Sequence, residues 1–152
     1  MIRKLKGGLL AIILLLIFAS ASKSIAQDIS NEGRNFWTVF PSHVPLVDNL
    51  AKMKLFITSQ KNTRGVVNIG GVKLQDFQVQ AAQITEIDIP YDKAYLGDRT
   101  TQNTTQGIQV LVDDADPAVV VYAHIYASAR SEAALLLPIE GLGSSYYAMG
   151  WI

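Results

Sequence analysis

The side chains of this chain that could do chemistry are scattered: three of its four glutamates, two histidines, a serine pair and a bunch of aspartates. Glu86, Glu132 and Glu140 could in principle supply the paired carboxylates of glycoside hydrolysis, but nothing in their spacing selects two of them. His43 and His124 lie far apart. Ser144-Ser145 follows Gly143 without the Gly-x-Ser-x-Gly turn that exposes a hydrolase nucleophile. Phosphate-binding glycine patterns and the metalloprotease helix motif are missing. Asp113, Asp114 and Asp116 bunch beside Pro117, and oxygen-rich extracellular loops can hold calcium. This stretch lacks the glycine and distal glutamate of the twelve-residue calcium loop, and acids before a proline commonly serve the turn itself. The residues therefore specify no catalytic, metal or cofactor site, and the expectation is a chain that is not an enzyme and needs no cofactor.

Residues suited to binding are easier to find. Tyr122, His124 and Tyr126 alternate, so they project from one face of a strand. They form either an aromatic strip for sugar or peptide stacking or a covered sheet face with satisfied polar tips, and the second is favoured. The polar stretch Tyr91 to Gln106 reads as a long surface loop, and long loops on rigid β scaffolds commonly carry recognition. Tyr91, Tyr95 and Arg99 are its candidate anchors. Asn103-Thr104-Thr105 matches the N-glycosylation triplet within that loop.

The elements that must position these residues are strands. Short β-rich runs recur between Gly, Asn, Asp and Pro clusters, the pattern of an all-β, antiparallel sandwich-like domain. Phe36–Phe40 begins the series, stopped by Pro41. Met53–Ser59 follows, with Met53, Leu55 and Ile57 on one face. The polar tip Gln60–Arg64 predicts a hairpin into Gly65–Gly70. A short strand is expected around Phe77 and Val79, and another over Ile84–Ile89, with Ile87 and Ile89 opposite Glu86 and Asp88. Gly107–Asp113 points Ile108, Val110 and Val112 inward. Ala118–Ala127 is apolar on both faces, which predicts a central strand covered on both sides. Leu135–Pro138 and Tyr146–Ile152 complete the strands, and no segment after the N-terminus reads as a helix.

That N-terminus has the features of a cleaved export signal over residues 1–26. Arg3, Lys4 and Lys6 precede the apolar run Leu9–Ala19, and Ser24-Ile25-Ala26 offers small residues to a signal peptidase. Eleven apolar residues are well short of the roughly 20 that a membrane-spanning helix needs. The mature chain would begin at Gln27, with no membrane span and a location that is secreted or at the cell surface. The signal takes four of the 13 basic residues and none of the 13 acidic ones, leaving a mature net charge near −4. Such a chain is poorly matched to phosphate backbones, so nucleic acid is not an expected partner. Residues 27–152 are enough for one domain with a core, not two. With no cysteine, disulfides, thiolate metal sites and lipoprotein attachment are excluded. Together these features favour a bacterial source.

Four blocks, in order, carry a family resemblance. They are Gly33–Pro41; Leu55–Ser59 with the Gly-Val-Val that follows; Gly107–Val110 with Asp116-Pro117 and Val121–Ala123; and Ala134–Pro138 with Leu142-Gly143 and Tyr146-Tyr147. In this order the chain resembles the IgGFc-binding protein N-terminal domain family, found in animal mucus-type proteins and in exported surface proteins of Bacteroidetes-like bacteria. The resemblance implies a surface protein whose domain continues past Ile152 and is followed by further domains of the same polypeptide. The abrupt apolar end, Met149–Ile152, agrees with a fragment of a longer reading frame. No functional residue transfers by position. The resulting expectation is a non-catalytic binding or adhesion module for extracellular protein or glycan. A structural spacer is the alternative, with a carbohydrate-processing enzyme behind it.

Overall fold

In the computed structural model, the residues described are 30–41, 51–96, 105–127 and 130–143. Among them, eight strands form two four-stranded antiparallel sheets. The first sheet has the order β1 (Asn35–Thr38), β6 (Ile108–Val112), β3 (Thr63–Ile69), β4 (Val72–Val79). The second runs β5 (Ile84–Ile89), β2 (Lys52–Thr58), β7 (Val120–Ala127), β8 (Arg130–Leu135). A four-residue helix α1 (Tyr91–Ala94) and a 3-10 turn (Ile139–Gly141) complete the described elements. The all-β sandwich-like class expected from the sequence is the class observed. No helix among the described residues is long and apolar enough to cross a membrane.

Alternation decides what fills the space between the sheets. Leu55, Ile57, Val121 and Met53 from the second sheet meet Phe36, Val67, Val110 and Ile108 from the first in one buried cluster. Ile87, Ile89 and Val112 face inward as their spacing requires, whereas Glu86 and Asp88 point to solvent. Each fully buried Val, Leu, Ile or Phe contributes about 1.5–3 kcal/mol, and this core works without disulfides.

Turn chemistry sets the connections. Gly70 and Gly71 hold φ values of 59° and 79° between the paired ends Ile69 and Val72, the positive pair a two-residue type I′ hairpin requires. Close to Gly65, β4 places Phe77 directly across the ladder. A Cβ at Gly65 would lie 2.5 Å from the Phe77 ring and 2.5 Å from the Leu111 carbonyl oxygen, so only glycine fits.

Four expectations are corrected. The Met53–Ser59 and Gly65–Gly70 runs do not form a hairpin: β2 pairs with β5 and β7, whereas β3 pairs with β4 and β6. Their connection crosses between sheets, pinned where the buried Ser59 and Thr63 hydroxyls donate to the Ala118 and Pro117 carbonyls, each at 2.7 Å. β7 is central in its sheet but covered on one side only, since Tyr122 remains 42% exposed. The strand expected at Leu135–Pro138 is shifted to Arg130–Leu135; the Leu136 amide still donates to the Val121 carbonyl of β7 at 2.9 Å, and Pro138 then bridges to Phe36. Tyr91–Ala94, expected in a loop, is helical, with Tyr91 stacked on Tyr95 at 4.4 Å. The export signal, Gln27, His43, Arg99, Asn103 and Thr104 of the glycosylation triplet, Ser144-Ser145 and the Tyr146–Ile152 strand lie outside the described residues.

Candidate functional site

Two neighbouring rows of outward positions cross β3, β6 and β1 of the first sheet. Strand register aligns Asn68, Gln109 and Trp37 across β3, β6 and β1, and Val66, Leu111 and Asn35 beside them. Their neighbours Val67, Val110 and Phe36 point into the core, which fixes the outward direction of all six. Trp37 is 51% exposed. One side of its six-membered ring is backed by Gly107, where a Cβ would sit 3.6 Å from Cζ3.

Three side-chain amides are tied together next to that indole. Gln109 Nε2 donates to Asn35 Oδ1 at 3.0 Å, and Asn68 Nδ2 donates to Gln109 Oε1 at 3.3 Å. The ladder spans β1, β6 and β3 and holds each amide plane in place. It also leaves capacity unused, because an amide carries two donors and an acceptor with two lone pairs. A neighbouring open depression of about 850 Å³, lined in part by Val66, Leu111, Gly65 and Phe77, extends the same face.

Charged residues line the depression beside these neutral rows, among them Arg64, Asp76, Asp113 and Asp116. Lys73 and Asp76 on β4 pair at 2.6 Å, and Arg64 Nε lies 3.3 Å from Asp116. Asp113 Oδ1 accepts the Ala115 amide at 3.0 Å, and its carbonyl accepts the Asp116 amide at 2.9 Å. These aspartates thus build the turn before Pro117, and among the described residues no three acids or histidines are grouped to hold a metal.

The opposite outer face carries the Tyr122, His124 and Tyr126 strip, on one side of β7 as its spacing requires. Here His124 and Tyr126 occupy one another, while Tyr122 is 42% exposed. His124 stacks on Tyr126 at 5.1 Å and meets Phe56 at 5.8 Å, while Lys52 Nζ lies 5.9 Å over Tyr126. His124 Nε2 is 2.6 Å from Ser131 Oγ, and its Nδ1 is buried with no hydrogen-bond partner among the described residues. Beside them Lys54 donates to Glu86 at 2.8 Å and approaches Asp88 at 3.5 Å. The hydrogen bond to Glu86, above all, raises the Lys54 pKa above 10.5.

Of the anchors expected from sequence, Tyr91 and Tyr95 are half-buried and pack against the core. Glu86, Glu132 and Glu140 do not converge. Glu86 lies on the outer side of β5, Glu132 pairs with the inward Ile125, and Glu140 Oε1 accepts the Arg34 amide beside β1. Trp37 and the amide ladder were not singled out by sequence reasoning. The available signal was the polar or aromatic side of alternating strands, at Asn35, Trp37 and Gln109; what was missing was the register that joins them.

No family model matches the chain, and neither does any curated protein or solved structure.

Proposed function

We propose that this chain is a non-catalytic binding module of an exported, cell-surface protein, recognising extracellular protein or glycan, and related to the IgGFc-binding protein N-terminal domains. The observation that carries the reading is the outer face of the first sheet. It presents a half-exposed tryptophan, fixed amides and a broad depression on a rigid scaffold. An exposed Trp with an ordered polar surround is the composition of a binding hot spot. The leader over residues 1–26 and the absence of cysteine support an extracytoplasmic, disulfide-free setting.

One observation favours the spacer alternative. Leu137, Ile139 and Leu142 are each more than 40% exposed near β1, a surface fit to pack against another domain of the same polypeptide.

The test is expression of the whole chain in a bacterial host, N-terminal sequencing of the product, and binding of the exported material to arrayed extracellular proteins and glycans. The expected result is a chain starting at Gln27 that binds in one of the two classes. A product retaining Met1 in the cytosol removes the export reading. An exported chain that binds neither class leaves the spacer.

A further inference from the structure

We infer that the outer face of the first sheet binds an uncharged saccharide, one sugar ring stacked on Trp37 and its hydroxyls held by Asn35, Gln109 and Asn68. This rests on the binding-module reading above and names the ligand class of that same face.

The first argument is charge. All six outward side chains of the two rows, Asn68, Gln109, Trp37, Val66, Leu111 and Asn35, are neutral. The two cations within the strands of this sheet are paired, Lys73 with Asp76 at 2.6 Å and Arg64 with Asp116 at 3.3 Å. Asp113 and Asp114 add negative potential along the depression. Arg64 lines the depression together with Asp76, Asp113, Asp114 and Asp116, so a sulfated or carboxylated glycan would face net like charge there. A neutral glycan meets no such penalty.

The second argument is hydrogen-bonding chemistry. A sugar hydroxyl donates and accepts at once, and side-chain amides are the neutral groups that offer both in one plane. The ladder leaves the Asn35 NH2, the second Gln109 N–H and the Asn68 carbonyl oxygen for a ligand. Because the three amides already fix one another, little side-chain freedom is lost when a ligand arrives. The third argument is the ring. Backed by Gly107 on one side, Trp37 offers exposed indole to the apolar C–H face of a pyranose. On the opposite face His124 and Tyr126 offer less, since they stack on each other and Lys52 lies over Tyr126, and Tyr122 has no comparable row of fixed amides beside it among the described residues.

The exported chain is titrated by calorimetry with uncharged oligosaccharides (maltohexaose, cellohexaose, xylohexaose, mannohexaose, chitohexaose) and with sulfated dextran oligosaccharides. A protein array runs in parallel. Expected is binding to at least one neutral oligosaccharide and none to the sulfated set. Trp37→Ala weakens that binding at least tenfold and Gln109→Ala about tenfold, whereas Trp37→Phe stays within a few-fold. Tyr122→Ala, on the other sheet, leaves it unchanged. Near-ultraviolet circular dichroism verifies that each variant is folded. Saccharide binding that survives Trp37→Ala in a folded protein overturns the site. Binding confined to the sulfated set overturns the ligand class. Protein binding without saccharide binding overturns the ligand class and leaves the module reading standing, while binding of neither overturns both.

Discussion

Gly65 shows how one missing side chain shapes the candidate face. The Phe77 ring occupies the space a Cβ would need, and the Leu111 carbonyl closes it from the other strand. Gly65→Ala must therefore push apart two neighbours of the depression, at a cost of about 1–3 kcal/mol typical of overpacking. The change is read as a lower denaturation midpoint; an unchanged midpoint would show that the ladder relaxes freely. At this scale the sequence is informative about direction and silent about neighbours. Asn35, Trp37 and Gln109 each sit opposite a core residue in a two-residue alternation, so their exposure follows from spacing alone. That Gln109 lies between Asn35 and Asn68 depends on cross-strand register, which no local pattern contains. The same holds for His124: its shared face with Tyr122 and Tyr126 is readable, while its contact with Ser131 depends on β8.

Between elements, pairing is what the residues do not announce. The glycine pair at 70–71 declares its hairpin because both positions require positive φ. The Gln60–Arg64 tip looked equally like a hairpin, yet Ser59 and Thr63 anchor it as a crossover, using carbonyls of residues 117 and 118 more than 50 positions away. β8 escaped notice because Arg130–Leu135 is exposed throughout and carries no apolar alternation; the open edge of β7 recruits it. The contact between β2 and β5 yields a pH prediction. Lys54 gains its partners on folding and has a pKa raised above 10.5, so its stabilisation is complete below 10.5 and fades as pH climbs through the raised value. Lys54→Gln is expected to lower stability at neutral pH by a small amount, since the pair is solvent-screened, and to flatten the alkaline loss by that same amount. Identical alkaline profiles for both proteins would remove the linkage.

For the molecule as a whole, fold class and core composition follow from periodicity, because burial of one face per strand suffices to define a two-layer β domain. The order of strands within each layer does not follow, and it governs how the domain comes together. β6 inserts between β1 and β3, and β7 between β2 and β8, so each sheet has a late segment at its centre. A chain ending at Gln106 keeps the β3–β4 and β2–β5 ladders but leaves β1 with no partner among the described strands. It is expected to show no cooperative melting and a flat near-ultraviolet spectrum; a sharp transition would mean the early strands can close on their own. Contacts of such long sequence separation place folding in the slow, millisecond-to-second range of β proteins. Until its final third is made, the chain holds its early ladders without the two central strands that join each layer into one sheet.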